Sequence, residues 1–483
     1  MAEFDFDIGI LGGGSAGLTV AAGAAQFGAK TLLIEKERKL GGDCLHYGCV
    51  PSKTLIRTAG VYHLMKNPEK FGLPRGEAHR PDFRDISGRI REVISSIEKH
   101  DSPERFCKLG ARVEFGQAHF TDEHSVALNG KRYTAKYWVI ATGSSPAVPP
   151  IEGLDATPFL TNKHLFSLDR LPESMVCLGG GPISIEMAQA FNRLGTRVTV
   201  VERDSQILGK EDADMAGLVM DILEAEGVAF HLSSSVIRAR DLGNEREVTI
   251  KTGDGGTMTL RAEVILVAIG RVANLEDLGL EGIGVEFDRR GLKLDTRLRT
   301  NHKHLYGAGD VTGTYQFTHA AGYEGGIVLS NALLRLPRKT DYTLFPWCTF
   351  TDPELASIGV NEKRAKERGI PYSVWTEEFR DNDRSLTEGY ETGRIKMILD
   401  EKEKPVGVQI LGPHAGDLLN EWVAVMNGRV RLSSLASAMH PYPTLGEINK
   451  KVAGDFLSKK IFSPAVKKGL RFLFGLKGRA CTP

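Results

Sequence analysis

Apolar runs alternate with glycine-rich turns at the start of the chain. Residues 4–11 form a β-type apolar run, the loop 12–17 follows with the spacing Gly-x-Gly-x-x-Gly, and an alanine-rich helical stretch extends to Phe27. A second apolar run, 30–34, ends at Glu35. This order of strand, glycine turn, helix, strand and acid is typical of a βαβ unit that binds a dinucleotide.

The residues of this loop have separate expected roles. Gly12 makes the tight turn, Gly14 lets the backbone approach a pyrophosphate, and Gly17 lets the helix pack closely on the strand. The positive end of the helix faces the phosphates. Glu35 lies 23 residues after Gly12 and is placed to accept hydrogen bonds from a ribose. A plain strand–helix turn is the simpler interpretation, and the combination of strand, helix and acid argues against it.

The same pattern recurs 167 residues later. A strand at 175–178 leads into Gly179-Gly-Gly-Pro-Ile-Ser184, where serine takes the place of the third glycine, and a helix follows. Glu202 lies 23 residues after Gly179, at the end of the next apolar run. This internal repeat predicts two bound dinucleotides. Glu202 would bond a free 2′-hydroxyl and repel a 2′-phosphate, which favours NADH over NADPH, and the neighbouring Arg203 would soften that preference.

Two cysteines lie between the two fingerprints. Cys44 and Cys49 follow a glycine pair and precede a predicted helix over 53–60, and the positive end of a helix lowers the pKa of a nearby thiol. Residues five apart on an ideal helix are roughly 8–9 Å apart, whereas a disulfide spans at most about 7 Å. A bonded pair therefore requires an irregular turn, for which Gly48 supplies backbone freedom. Two unrelated free thiols are the simpler alternative.

The second half of the chain changes in texture. Asn129-Gly130 predicts a hairpin, and Asp310 follows a glycine turn that suits a hydroxyl-rich cofactor chain. From about Phe345, strands and helices alternate without glycine fingerprints, which indicates a separate α+β unit. The segment 461–476 combines helically spaced apolar residues with lysines and arginines. A basic amphipathic helix of this kind binds an anionic membrane surface; a helix packed on its own domain, or a frayed terminus, is the simpler alternative.

Composition sets outer limits on the protein class. A chain of 483 residues is too long for one core. A net charge of +1 gives no reason to expect a nucleic-acid partner. The six cysteines do not make a disulfide scaffold, and no signal peptide or spanning segment is recognisable, so we expect a cytoplasmic protein. Cys107, Cys177 and Cys348 are expected to be buried bystanders.

The two fingerprints, the cysteine pair and the C-terminal unit together resemble the flavin-dependent pyridine nucleotide–disulfide oxidoreductases, over about residues 5–455. That family includes dihydrolipoamide dehydrogenase, glutathione reductase and mercuric reductase. The resemblance implies an α/β fold with two Rossmann-like domains and a C-terminal α+β dimerisation domain. The implied segments are an FAD-binding domain at 1–148, an NAD(P)H-binding domain at 149–270, a return to the central domain at 271–343, a dimerisation domain at 344–458 and a basic tail at 459–483.

The resemblance also implies cofactor contacts. FAD is expected at Gly12, Gly14, Gly17, Glu35, Gln117, Ala118, Ala141, Thr142, Gly143 and Asp310. The nicotinamide dinucleotide is expected at Gly179, Gly181, Glu186 and Glu202. Further cofactor contacts are expected at Ser15, Ala16, Lys36, Gly42, Asp43, Lys53, Pro182, Ile183, Arg203, Gly270, Arg271, Gly309, Gln316, Phe317 and Thr318.

By the same resemblance, electrons pass from NADH through FAD to a redox-active disulfide between Cys44 and Cys49. Cys49 is the cysteine nearer the flavin, and Cys44 exchanges with the substrate. Lys53 and Glu186 resemble the family's ion pair beside the flavin. No structural metal is expected, although the two thiols form a transient site for a soft ion such as Hg(II).

One departure from the family bears on the substrate. Disulfide-reducing members place a histidine directly before Pro-Thr, five residues ahead of a glutamate, and the partner subunit supplies this pair. Here Glu447 matches, but Tyr442 stands at the histidine position, as in mercuric reductases. His440 lies two residues earlier and would share a face with Tyr442 if the segment were a strand. A tyrosine that only packs at the dimer interface is the simpler interpretation.

Three functions follow from these observations. The first is a mercuric reductase-like enzyme acting on a soft metal ion or an unusual disulfide, although the chain shows neither an N-terminal metal-carrying domain nor a vicinal cysteine pair beside Cys481. The second is a dihydrolipoamide dehydrogenase-like enzyme that uses His440. The third is an electron-transfer flavoprotein docked to the membrane by its tail. In the first two, a homodimer shares the active site between subunits.

Overall fold

The computed structural model describes residues 4–481 and shows two compact units. The first contains the chain up to Leu64, then Ala78–Ser205 and Gly227–Asp341. The second contains Met65–Glu77, Gln206–Glu226 and the chain from Tyr342 on. The sequence indicates a separate unit from about 345 but gives no sign that the two earlier segments belong to it. The five implied domain segments are finer than this division and stay predictions.

The first unit is built from eighteen strands and eight helices among its described residues. The strands are β1 Phe6–Leu11, β2 Thr31–Glu35, β3 Ala111–Phe115, β4 His119–Asp122, β5 Ser125–Leu128, β6 Lys131–Ile140, β7 Ser144–Pro146, β8 Ser174–Leu178, β9 Arg197–Val201, β10 Ala229–His231, β11 Ser235–Asp241, β12 Arg246–Lys251, β13 Thr257–Ala262, β14 Val264–Val267, β15 Arg271–Ala273, β16 Phe287–Asp288, β17 Gly291–Leu292 and β18 Leu305–Gly307. The helices are α1 Ser15–Gln26, α2 Gly42–His46, α3 Cys49–Lys66, whose last two residues belong to the second unit, α4 Phe83–Glu98, α5 Pro103–Leu109, α6 Asn162–Leu165, α7 Pro182–Arg193 and α9 Thr318–Ala332.

The first sheet explains the continuous apolar runs near the N-terminus. Its strand order is β3-β2-β1-β6-β5-β4, with β18 also paired to β6, and β3, β2, β1, β6 and β18 pair in parallel. Both faces of β2 are buried, because Leu33 packs into one hydrophobic cluster while Leu32 and Ile34 pack into another. Strands covered on both faces read as unbroken apolar runs.

The second fingerprint forms a smaller sheet of the same kind. Its parallel order is β10-β9-β8-β14, and the antiparallel strands β11, β12 and β13 form a separate sheet. The predicted hairpin is confirmed, since Leu128 pairs with Lys131 across Asn129 and Gly130. Both turn residues have positive φ, as a two-residue hairpin turn requires.

The second unit is an α+β structure, as the sequence predicts. Its strands are β19 Pro346–Thr349, β20 Glu354–Gly359, β21 Ser373–Glu378, β22 Arg394–Leu399 and β23 Pro405–Gly412. Its helices are α8 Ala213–Ala225, α10 Glu362–Glu367, α11 Asp383–Thr387, α12 Ala415–Asn427, α13 Leu432–Ser437, α14 Glu447–Ile461 and α15 Pro464–Phe474. The antiparallel sheet has the order β19-β20-β23-β22-β21 and packs against α12 and α14.

Two local predictions are wrong, and one condition that the sequence analysis left open is not met. The helix after the cysteine pair begins at Cys49 rather than at residue 53, because Pro51 is tolerated in the first turn of a helix. The segment 438–446 is irregular, so His440 and Tyr442 do not share the face of a strand. Of the three cysteines expected to be buried, only Cys177 is; Cys107 is exposed and Cys348 half-buried.

A buried lysine explains why residues 206–226 belong to the second unit. The Lys396 ammonium group lies 2.7 Å from Asp214 Oδ1, 2.7 Å from Glu362 Oε1 and 3.1 Å from Asp212 Oδ2. The ammonium occupies the place that a cation would take among the three carboxylates. Removing one partner of a buried ion pair by mutation is strongly destabilising, because the remaining charge is left without a partner.

We therefore expect Lys396→Met to destabilise the second unit by about 3 kcal/mol, because it removes the one ammonium group that pairs with all three acids and leaves only Arg394, 3.5 Å from Asp214 Oδ2. Thermal unfolding followed by circular dichroism measures the effect. The matched control, Lys293→Met, removes an exposed partner of Asp288 and should leave the midpoint nearly unchanged. Equal effects of the two substitutions would contradict the prediction.

Candidate active site

The glycines of the first loop are fixed by close backbone contacts. Gly12 has φ +108°, and a Cβ there would lie 2.2 Å from the carbonyl oxygen of Ala141. A Cβ on Gly17 would lie 1.8 Å from the Gly12 oxygen, so the helix packs directly on the turn. At Gly14, by contrast, the nearest atom to an added Cβ is Gly42 Cα at 3.8 Å. The loop is therefore tight against the protein and open at Gly14, where a pyrophosphate would approach.

Glu35 holds this loop in place. The residue is buried, its Oε2 accepts a hydrogen bond from the Gly13 amide at 2.6 Å, and its Oε1 accepts one from the Glu37 amide at 2.8 Å. The sequence suggests only a ribose contact for this acid. The structure adds a second use, because the carboxylate ties the glycine turn to the end of β2.

The second loop reproduces these contacts at the same offset. Gly179 has φ +103°, and a Cβ there would lie 2.7 Å from the oxygen of Ala268. Glu202 accepts hydrogen bonds from the amides of Gly180 and, at 2.8 Å, Asp204. Ser184, which replaces the third glycine, is fully buried. The internal repeat is thus a repeat of hydrogen bonds as well as of sequence.

The two cysteines lie together in the first unit. Cys44 is on α2, Cys49 is the first residue of α3, and both are free thiols within hydrogen-bonding reach of each other. Thr318 Oγ1 lies 3.3 Å from Cys49 Sγ. Gly48 has no unusual φ, but a Cβ there would be in tight contact with its neighbours, at 3.1 Å from the oxygen of Asp43. The predicted disulfide stays a prediction, and the geometry is that of a dithiol.

The two thiols differ in acidity. The hydrogen bond from Cys44, with help from the Thr318 hydroxyl and the Lys53 ammonium group, lowers the pKa of Cys49 to about 6. The same hydrogen bond, together with burial, raises the pKa of Cys44. Near neutral pH, Cys49 is therefore the thiolate and Cys44 carries the proton. Only the thiolate form is nucleophilic or binds a soft metal.

Lys53 and Glu186 form an ion pair beside the thiols. Lys53 Nζ donates to Glu186 Oε2 at 2.7 Å, and Glu186 is buried on α7. Lys53 lies one helical turn after Cys49 on α3, so the two side chains are neighbours on one face. The pair places a partly neutralised positive charge next to the thiolate.

The loop that carries the cysteines is fastened at both ends. The Asn162 amide donates to the Asp43 carboxylate at 3.2 Å and to the Tyr47 oxygen at 3.0 Å, and Arg271 Nη2 lies 3.2 Å from Asp43 Oδ2. Asn162 was missed at the sequence level, because a single asparagine 119 positions from its partner has no local signature. Its hydrogen bonds nevertheless fix Asp43, which precedes the segment Cys44–His46, and Tyr47, which follows it.

Arg271 also joins the loops expected around FAD. Its Nε donates to Ser144 Oγ at 2.7 Å, and the Ser144 hydroxyl donates to Asp310. Burial raises the pKa of the Asp310 carboxyl. Fully buried Glu324 accepts from the Gly309 amide at 2.7 Å and fixes the turn before Asp310. No local pattern in the sequence indicates this role for a glutamate within an apolar helix.

Most other predicted cofactor contacts lie where a ligand can reach them. The exposed ones are Lys36, Gln117, Pro182, Ile183, Arg203, Gly270 and Thr318. The half-buried ones are Ser15, Gly42, Thr142, Gly143, Gly181, Gln316 and Phe317, whereas Ala16, Ala118 and Ala141 are buried. All of them belong to the first unit.

The predicted proton-handling residues belong to the second unit. His440 Nε2 lies 2.9 Å from Glu421 Oε1, and exposed Tyr442 donates its hydroxyl to Asp383 at 2.9 Å. That hydrogen bond raises the pKa of Tyr442. Glu447 begins α14 and accepts from the Thr444 amide at 3.3 Å. His440 and Tyr442 therefore have different partners, and neither side chain contacts the other's acid.

The partner of His440 is itself held by buried groups. Glu421 Oε2 accepts from Asn449 Nδ2 at 2.9 Å, and Asn449 Oδ1 accepts from the Trp422 indole at 2.8 Å. Asn449 and Trp422 are fully buried. The carboxylate beside His440 is therefore fixed, as in a base oriented by an acid.

Comparison with known proteins shows which family has this arrangement of domains. Residues 6–325 match the model of the pyridine nucleotide-disulphide oxidoreductases, and residues 345–453 match the dimerisation domain of the same enzymes. The chain belongs to this family. The predicted fold class is thereby confirmed, and the dimerisation domain indicates a homodimer. No helix in the described part of the chain is long and apolar enough to span a bilayer.

Its relatives include both enzymes that the sequence resembles. A mercuric reductase of Bacillus cereus is 31% identical over 92% of this chain and 70% of its own, and a dihydrolipoyl dehydrogenase of Bacillus subtilis is 35% identical over 91% and 96%. The Cu(II) complex of the HOCl-induced flavoprotein disulfide reductase RclA from Escherichia coli has a TM-score of 0.83 at 28% identity, covering 94% of this chain and 99% of that one. The protein is an FAD-dependent NAD(P)H oxidoreductase of the disulfide and metal-reducing type.

We expect Cys49 to react with iodoacetamide as a group of pKa about 6. Below that pH the thiol is protonated and alkylation slows; above it the rate levels off. Peptide mass spectrometry of the reduced protein separates Cys49 from exposed Cys107 and Cys481. Cys44→Ala removes the donor and should raise the midpoint, whereas Cys44→Ser keeps a donor and should raise it less. A midpoint near the ordinary thiol value in the unmodified chain would contradict the prediction.

Proposed function

We propose that this enzyme uses NADH to reduce a thiophilic metal ion, or a disulfide, at Cys44 and Cys49. The observation that carries the proposal is the pair of thiols with divided acidity, placed beside the Lys53–Glu186 ion pair. Both nucleotide loops belong to the same unit of the structure as this pair.

FAD fits the residues of the first loop. The open side of Gly14, the positive end of α1, and the turn before Asp310 are the parts of this chain that would hold it. When bound, FAD takes a hydride from the nicotinamide and passes on an electron pair. The chain itself fixes these loops through Glu35 and Glu324, whose carboxylates accept hydrogen bonds from backbone amides of the loops.

The thiols themselves perform the second half of the reaction. With a disulfide substrate, the substrate S–S bond breaks and a bond forms between the sulfurs of Cys44 and Cys49; the two substrate sulfurs take the electron pair and leave as thiols, with one proton from Cys44 and one from solvent. With Hg(II), both thiolates bind and the proton on Cys44 is released; the two electrons that reduce the ion come from NADH, which leaves as NAD⁺ and a proton. Asn162 and Arg271 hold the loop so that the two sulfurs stay in reach of each other.

A thiophilic metal ion is the substrate that the second unit favours. The raised pKa of Tyr442 makes it a poor proton donor near neutral pH, and a metal bound by thiolates needs no acid to protonate a leaving thiol. Relatives with this chemistry in their names are the mercuric reductases and the Cu(II) complex of RclA.

A disulfide is the second candidate, and one observation favours it. His440 faces a carboxylate at 2.9 Å that buried groups hold in place, which is an arrangement suited to acid–base work. The dihydrolipoyl dehydrogenases among the relatives fit this alternative.

Substrate assays separate the two candidates. We expect NADH oxidation that depends on Hg(II) or Cu(II) in excess thiol to exceed lipoamide reduction by about tenfold or more, because Tyr442, at the family's histidine position, is a poor proton donor for thiol exchange. Cys44→Ser and Cys49→Ser should each abolish metal-dependent turnover, while His440→Gln should leave it intact. Faster lipoamide turnover that His440→Gln removes would favour the second candidate.

The choice of nicotinamide cofactor gives a separate prediction. Glu202 places a carboxylate at the end of β9, where it repels a 2′-phosphate, so kcat/KM for NADH should exceed that for NADPH. Glu202→Gln keeps an oxygen for the Gly180 amide but removes the charge. It should therefore lower the ratio of kcat/KM for NADH to kcat/KM for NADPH by about tenfold. Steady-state kinetics with both cofactors measure it. An unmodified enzyme that uses NADPH equally well would contradict the prediction.

A further inference from the structure

The C-terminal helix α15 presents an apolar face that its own unit does not cover. None of its residues is buried. The exposed fractions are 41% for Val466, 38% for Leu470, 71% for Leu473 and 70% for Phe474. These positions recur at intervals of three and four residues or are adjacent, so they lie on one side of the helix. The alternative that this helix packs on its own domain is therefore wrong.

The rest of the surface of α15 carries cations. Lys468 lies opposite the apolar face, Lys467 and Arg471 flank it on one side, and none of the three forms a salt bridge among the described residues. From residue 456 to the end, the chain has seven lysines and arginines and no aspartate or glutamate. Lys459 and Lys460 differ from the rest, because they contact the Trp375 ring and Glu403 within the second unit.

The sequence defines α15 as an element separate from α14. The Ser463 hydroxyl accepts from the Val466 amide, and Pro464 occupies the first helical position, where a missing N–H costs nothing. Gly475 ends the helix with φ +61°. The local caps therefore stabilise a short amphipathic helix that does not depend on packing against the second unit.

We propose that α15 docks the enzyme on an anionic lipid surface. Apolar side chains on one face and cations on the other match a helix lying in the plane of a bilayer. A second copy of the chain is a poorer occupant, because pairing two such helices brings like charges together without an acid to offset them.

The proposal can be tested by co-sedimentation of the FAD-loaded, full-length enzyme with vesicles. The vesicles contain phosphatidylcholine alone or with about one third phosphatidylglycerol. Binding is expected only to the anionic vesicles and should weaken as salt is raised, because the attraction is screened. Leu470→Ser with Leu473→Ser, and Lys467→Glu with Lys468→Glu, should each weaken binding about tenfold or more.

The matched control is Lys366→Glu with Arg368→Glu, which makes the same change in charge at exposed positions of the second unit. It should bind as the unmodified enzyme does, and all variants should keep their thermal midpoint and NADH oxidation. Equal binding to neutral vesicles, or binding unchanged by both α15 variants, overturns the proposal. So does an oligomer that the α15 variants dissociate in the absence of vesicle binding, since the occupant would then be a second copy.

Discussion

The hydrogen bond between the two thiols decides what this site can do. A lone cysteine at the start of a helix gains some acidity from the helix dipole, but the proton shared by Cys44 divides the pair into one thiolate and one thiol. This division exists only while the loop between them keeps its shape. A side chain at Gly48 would crowd the oxygen of Asp43, and the Asn162 amide holds Asp43 before the pair and Tyr47 within it. The chemistry therefore depends on packing at residues that have no reactivity of their own.

The two nucleotide loops show one structural solution used twice. In each, a glycine with positive φ turns against a carbonyl oxygen, and a glutamate at the end of the next strand accepts from the loop amide. A residue that fastens the loop and is also predicted to bind a ribose is under two constraints at once. That explains why the acid and the glycine keep the same spacing in both copies, although the third glycine position has changed to serine.

Much of the fold follows from local sequence. The glycine spacing, the strand–helix order and the Asn129-Gly130 turn predict elements within a few residues of their bounds, because each depends on neighbours in the chain. The features that sequence patterns do not predict depend on distant contacts or on proline. Asn162, Glu324 and Glu421 act through partners elsewhere in the fold, and no periodicity marks them. The supposed strand around His440 is interrupted by Pro441 and Pro443, which remove backbone donors.

The choice between a disulfide and a metal ion as the substrate depends on how protons reach the products. Reduction of a disulfide must deliver protons to two leaving thiols, whereas reduction of a metal ion held by thiolates need not. The Tyr442 hydroxyl donates its hydrogen bond to Asp383. This suits a site that binds a metal ion rather than one that protonates a leaving thiol. His440 lies 2.9 Å from the carboxylate of Glu421, so this pair is the candidate for proton delivery within the second unit. Tyr442 stands where disulfide-reducing members of the family place a histidine, and its raised pKa makes it a weaker proton donor than an imidazolium. This difference favours the proposed reduction of a metal ion, in which no leaving thiol has to be protonated.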